Sequence, residues 1–143
     1  MSDPDQAREA LRRAQEAHSA GQIDGALTAA REALEIDSEF TEAMTYLGTT
    51  LITRRLQFAE GLEVLERAAQ LAPEDAGVQY SLGWCQEFVA YRLEKQATRP
   101  YRDPLELYEA AAASLQRCID LDPEPGLKAD AEDLLDAIMV RIE

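Results

Sequence analysis

At 143 residues the chain can bury one core of ordinary size, so neither disulfides nor a metal is required for it to fold. Its 28 acidic residues against 14 basic ones leave a formal net charge of −14, which excludes the broad phosphate neutralisation on which a general nucleic-acid binder depends. Alanine is abundant, at 24 residues, while Val, Ile and Thr are sparse, a balance that favours helix over strand and predicts an all-α protein.

The N-terminal MSDPDQAREALRRAQ lacks the apolar stretch of a secretion signal. No run approaches the roughly 18 apolar residues of a membrane span, so a cytoplasmic location is expected. Apolar and small residues recur at helical spacing in every long segment, and strict two-residue alternation is absent. In chain order the pattern predicts helices at about 5–20, closed by Gly21, and 23–36, closed by Ser38. Then come 40–54, closed in the region 54–57, and 57–71, closed by Pro73. The fifth, 76–97, is broken by Pro100, and the sixth, 104–121, is capped by Asp103 and opened by Pro104. A seventh follows at 127–142, after the breakers of 123–126. Connections this short predict helical hairpins packed antiparallel in a single domain over 1–143.

Three stretches repeat one another: EALEIDS at 32–38, RAAQLAP at 67–73 and RCIDLDP at 117–123. A helical pair precedes each stop, so the chain reads as an array of hairpins over about 5–38, 39–73 and 74–123. In the first, Ala14, Ala26 and Ala33 supply the small residues. Met44, Leu47, Gly48 and Leu51 are followed by Phe58, Gly61, Leu65 and Ala68, and Leu82 with Gly83 by Tyr108, Ala111, Leu115 and Cys118. Small residues let helices approach closely while bulky ones fill the spaces between ridges. The last segment carries Leu127, Ala131, Leu134, Leu135, Ile138 and Ile142 in one stripe, as a helix capping the stack would.

This alternation of small and large residues resembles the tetratricopeptide repeat, a helix-turn-helix unit of 34 residues. The resemblance spans about 5–126 and implies a right-handed superhelix of antiparallel helix pairs, three repeats plus the cap at 127–142. Two departures stand out: the first repeat has Ala10, Arg13 and Ala17 where bulky residues are usual, and the third has Gln86 at a packing position.

No catalytic constellation is present. His18 is the sole histidine, placed where an imidazole favours a helix C-terminus, and no phosphate-cradling Gly-rich loop occurs. Cys85 and Cys118 lack the spacing of a zinc site or disulfide framework and fall at packing positions, so buried small hydrophobes are expected. The acidic pairs at 74–75, 120 with 122, and 132–133 suit helix ends and solvated faces better than metal ligation. No cofactor, metal or enzymatic activity is expected.

The inner face that the resemblance implies is lined by Arg8, Arg12 and Gln15, then Tyr46, Thr49 and Ile52, then Tyr80, Trp84, Glu87 and Phe88. Aromatic residues with polar neighbours supply large contact area at low entropic cost, which suits a groove for a peptide or helix of another protein. Burial of the same aromatic stripe, by this chain or by a second copy, fits the pattern as well. The positions where relatives place a Lys, Asn and Arg clamp for an acidic C-terminus carry Leu11, Gln15, Tyr46, Gly77 and Ser81 here, so that clamp is absent.

A 16-residue insertion, VAYRLEKQATRPYRDP, extends the third hairpin over about 90–104, carrying its first helix about two turns, or about 12 Å, past its neighbours. Arg92, Lys95, Arg99 and Arg102 lie in it, and Arg54 and Arg55 occupy the equivalent turn before. Such a basic edge either docks an acidic or phosphorylated segment or offsets the protein's own acids. The sequence thus predicts a non-enzymatic protein-interaction module, an adaptor or scaffold, with self-assembly into a homo-oligomer as the alternative.

Overall fold

The structure, a computed structural model, describes residues 3–143. Among these there is no strand, and seven helices follow in order. They are α1 (Pro4–Ser19), α2 (Ile23–Ile36), α3 (Thr41–Arg55), α4 (Phe58–Leu71), α5 (Ala76–Lys95), α6 (Pro104–Asp120) and α7 (Pro125–Ile142). Asp103 caps α6 as expected, its Oδ1 accepting from the Leu105 amide at 3.0 Å. Pro125 was expected among the breakers, yet it begins α7. Its fixed φ suits a first helical position, and Glu124 caps the helix by accepting from the amides of Gly126 (2.9 Å) and Leu127 (2.6 Å).

The chain forms two compact units, one reaching to Leu71 and the other starting at Ala72. In the first, α1 pairs with α2, α3 with α4, and α2 packs on α3. In the first hairpin Arg13 meets Glu32 while Ala17 lies near Gly25, and in the second Gly48 meets Leu65 while Ile52 meets Gly61, so both are antiparallel. Alanine dominates the first hairpin, where Ala10, Ala14, Ala26, Ala30 and Ala33 are completely buried. Leu27, Leu47 and Leu51 complete one core cluster with Ala14, Ala29 and Ala30.

Glycine sets the spacing of the second hairpin. A Cβ on Gly48 would lie 2.8 Å from the Gly61 carbonyl oxygen and 2.6 Å from Leu65 Cγ. One on Gly61 would lie 2.9 Å from the Gly48 oxygen and 2.5 Å from Ile52 Cγ1. The two backbones meet through facing glycines, and Ile52 fills the space beside them at zero exposure.

In the second unit α5 pairs with α6, and α7 lies against α6 with lighter contact to α5. Gly83 repeats the device, its missing Cβ leaving room for Leu115 Cγ at 2.9 Å. Gln86 is 4% exposed and accepts a 2.8 Å hydrogen bond from the Ser114 hydroxyl, so the packing position that lacks a bulky residue holds a matched polar pair instead. Cys85 and Cys118 are fully buried and form no disulfide, and burial pushes the Cys118 thiol up. Along α7, Ala131 and Ile138 are buried, whereas Leu127, Leu134, Leu135 and Ile142 stay partly exposed.

The predicted reach of α5 needs correction. It is 20 residues long against 15 for α3, an excess of 5 residues or about 7.5 Å rather than two turns. The helix ends at Lys95, well before Pro100, because Gln96 turns to an extended conformation (φ −77°, ψ 149°) and its side-chain amide donates to the Thr98 carbonyl at 3.3 Å.

Gly48→Ala and Gly61→Ala are each expected to cost about 2 kcal/mol or more in urea denaturation, because a rigid backbone oxygen blocks the added methyl. Gly25→Ala, where a Cβ would meet nothing nearer than 3.9 Å, is expected to be neutral or stabilising by up to about 1 kcal/mol.

Candidate functional site

The inner-face positions fall on α1 and α3 in the first unit and on α5 in the second. Along α1 and α3, Arg8, Arg12 and Gln15 line a shallow cleft of about 420 Å³ together with Asp5, Glu9, Leu11 and Glu42. Its arginines are already engaged: Arg8 lies 3.8 Å from Glu42 and 5.4 Å above the Phe40 ring. Arg12 is held between Glu9 and Glu16, its Nε donating to Glu9 Oε2 at 3.0 Å. Exposed pairs of this kind are screened by solvent and orient side chains more than they stabilise.

Tyr46 and Thr49 of α3 stand outside that cleft lining. The Tyr46 hydroxyl lies 2.8 Å from His18 Nδ1 and donates to the Ala14 carbonyl at 3.4 Å. A long contact of 3.5 Å links His18 Nε2 to Arg54. The rings meet edge to face at 5.7 Å. His18 thus orients Tyr46 and ties α1 to α3, a role that the expected helix-dipole contribution does not include. The one trace of it in the sequence is the register that puts both residues on facing inner positions of successive hairpins. Ile52, also predicted on the inner face, is instead buried beside Gly61.

On α5 the spacing of four residues aligns Tyr80, Trp84 and Phe88 in one stripe, each partly exposed. Trp84 and Phe88 stack with centroids 5.5 Å apart and planes 17° from parallel, and the Arg92 guanidinium sits 5.0 Å over Phe88. Burial raises the Tyr80 hydroxyl above its ordinary value, with the Asp130 charge on α7 adding to the effect. Burial likewise pushes the Glu87 carboxyl upward, opposed by Arg141 of α7. Arg141 is fixed by a 2.8 Å bond to Glu94 and lies over the rings of Tyr91 (5.3 Å) and Tyr108 (5.5 Å), latching the end of α7 to α5 and α6.

The predicted basic residues fare differently by unit. Arg55 donates to Asp24 at 2.8 Å and Arg54 reaches His18, so both are used inside the first unit. Arg92 and Lys95 stand over aromatic rings, and Arg99 and Arg102 follow in the segment joining α5 to α6. Among the described residues no cluster of three His, Cys, Asp or Glu side chains is placed to hold a metal, and no helix is long and apolar enough to cross a membrane.

Residues 103–125, which take in α6 and the turn after it, match the family model of the tetratricopeptide repeat. No curated protein matches the chain. Among solved structures it is similar to the first tetratricopeptide domain of Spaghetti (RPAP3), bound to the HSP90 peptide SRMEEVD, with a TM-score of 0.76 at 16% identity, covering 99% of this chain and 96% of that one. It is similar to the N-terminal domain of stress-induced protein-1 (STI-1) from C. elegans, with a TM-score of 0.59 at 14% identity, covering 92% and 95%. It is also similar to a mutant O-GlcNAc transferase from Thermobaculum terrenum, with a TM-score of 0.71 at 22% identity, covering 97% of this chain but 23% of that one. The fold is that of the tetratricopeptide repeat.

Glu87 supplies a pH test of the α5 face. Its raised value means that the folded protein holds the proton more tightly than the unfolded chain. Stability therefore falls as pH rises from the ordinary carboxylate range through the raised value. Glu87→Gln is expected to raise the urea midpoint at pH 7 and to leave it unchanged near pH 3, where both states are protonated (about 4.3 being the ordinary value).

Proposed function

We propose that the protein is a non-enzymatic interaction module, an adaptor or scaffold that takes a peptide or helix of another protein against the exposed stripe of α5. The observation that carries this reading is the Trp84–Phe88 stack, two large rings held parallel at 5.5 Å and left partly open. Stacking fixes both rings in advance, so a ligand gains their contact area with little further loss of side-chain freedom. Tyr80 extends the stripe and offers a hydroxyl for orientation. The first unit has a polar cleft of its own, lined by Arg8, Arg12 and Gln15.

A similar fold, the first tetratricopeptide domain of Spaghetti, is described with a bound peptide, which supports peptide recognition as the class of activity. The chemistry of the ligand differs here, because Leu11, Gln15, Tyr46, Gly77 and Ser81 provide no cationic clamp for a terminal carboxylate. Selection falls to apolar anchoring instead. Fully buried cysteines that form no disulfide, Cys85 and Cys118, suit a reducing cytoplasm.

A displayed library of short peptides, panned on the full chain, tests the reading. Trp84 is the only tryptophan, so its fluorescence reports ligand directly. Selected peptides are expected to shift the emission, and Trp84→Ala to weaken binding by about thirtyfold, or about 2 kcal/mol, with an unchanged circular-dichroism spectrum. Peptides that bind the variant equally well would remove α5 from the site. A dimer detected by light scattering that the same substitution dissolves would assign the face to self-assembly.

A further inference from the structure

Away from the Trp84 stripe, the most open of the large apolar side chains among the described residues, Val140, lies on the outer side of α7. One face of this helix is spent on packing, where Ala131 and Ile138 are sealed. Turned away from that face, Met139 and Val140 stand 46% and 71% exposed. Leu135, partly exposed and one turn before Met139, continues the apolar ridge along the helix.

Carboxylates flank the ridge. Glu132 lies one turn before Leu135, Asp136 one turn before Met139 and Val140, and Asp133 two turns before Val140, so helical spacing sets all three acids beside the apolar residues. Each is exposed, and among the described residues none of the three carboxylates is hydrogen-bonded or ion-paired. Acids elsewhere are answered: Glu32 by Arg13, Glu60 by Arg31 and Asp24 by Arg55. The two cations of α7 are themselves engaged, Lys128 at 3.6 Å from Asp122 and Arg141 bonded to Glu94 at 2.8 Å.

We propose that this ridge is a docking surface for a basic amphipathic helix of a partner protein, whose apolar side chains pack on Leu135, Met139 and Val140 while its Lys or Arg residues reach Glu132, Asp133 and Asp136. Charge complementarity selects the occupant. A second copy of α7 would set carboxylates against carboxylates with no uncommitted cation on either helix, and a nucleic acid or an anionic membrane would meet the same repulsion from a chain of −14. Shape selects a helix, because a ridge of side chains one turn apart packs into the groove of another helix. The aliphatic stems of Lys and Arg extend the apolar contact while their charged ends reach the flanking acids, and the unbranched Met139 adapts to what it meets. The proposal does not rest on the peptide-binding role of the Trp84 stripe.

Fluorescence anisotropy of the full chain with a labelled peptide of leucine and lysine tests it, the peptide being about 14 residues long with its leucines on one helical face. Binding is expected and is expected to weaken as salt is added. The same residues in an order that leaves no apolar face are expected to bind about tenfold more weakly or worse. Met139→Ser with Val140→Ser is expected to reduce affinity by about tenfold without altering the helical spectrum. Glu132→Gln, Asp133→Asn, Asp136→Asn is expected to reduce it as much and to flatten the salt dependence. Glu35→Gln, Glu39→Gln, Glu63→Gln removes the same charge from the first unit and is expected to leave affinity within about twofold. Trp84→Ala is expected to retain binding, which separates this surface from the stripe. Absence of binding, its loss in Trp84→Ala, equal loss in the two triple variants, or unchanged affinity in Met139→Ser with Val140→Ser would overturn the proposal. A dimer detected by light scattering that this last variant dissolves would overturn it too, by assigning the ridge to a second copy.

Discussion

Close approach of paired helices is the constraint from which the rest of this structure follows. Gly48 faces Gly61 across the second hairpin, and Gly83 admits Leu115 in the third, so backbones meet where a single methyl would intrude. In the first hairpin completely buried alanines do the same with one carbon each. Helices this close leave no room between them for large side chains, which are displaced to the flanks of each pair. Leu47 and Leu51 thereby reach the preceding hairpin in the first unit, and Tyr80, Trp84 and Phe88 are left on a face of α5 that α6 does not cover.

Within each unit the next helix then runs parallel to the one that opens the preceding hairpin. In the first, Arg8 meets Glu42 while His18 meets Tyr46 and Arg54, an ascending register between α1 and α3. In the second, Tyr80 senses Asp130 while Glu94 binds Arg141, the same ascending order between α5 and α7. Helix α7 therefore occupies the place of an opening helix. Ala131 and Ile138 are covered, and Met139 and Val140 are left 46% and 71% exposed on its outer side.

Charge is arranged around this packing rather than within it. The ion pairs from Arg13 to Glu32 and from Arg31 to Glu60 bridge neighbouring helices at the surface, where they contribute little energy but fix side-chain direction. Two buried glutamines are matched by polar partners, Gln86 by Ser114 and Gln79 by Arg117. On α5, by contrast, aromatic rings orient two cations, Arg92 over Phe88 and Lys95 over Tyr91.

The helices, their pairing and their glycine and alanine contacts were legible in the sequence, because period, caps and small-residue spacing act over a few neighbouring residues. Each helix boundary falls within two residues of its prediction, and the alignment of Tyr80, Trp84 and Phe88 follows from spacing alone. Partners brought together by packing were not legible. The bond from His18 to Tyr46, the burial of Ile52 beside Gly61, the match of Gln86 with Ser114 and the latch of Arg141 on Glu94 each join residues 9 to 47 positions apart. Local periodicity decides which side of a helix is apolar. Only the packed neighbour decides which of those side chains is sealed, which is oriented by a hydrogen bond, and which is left open to meet another molecule.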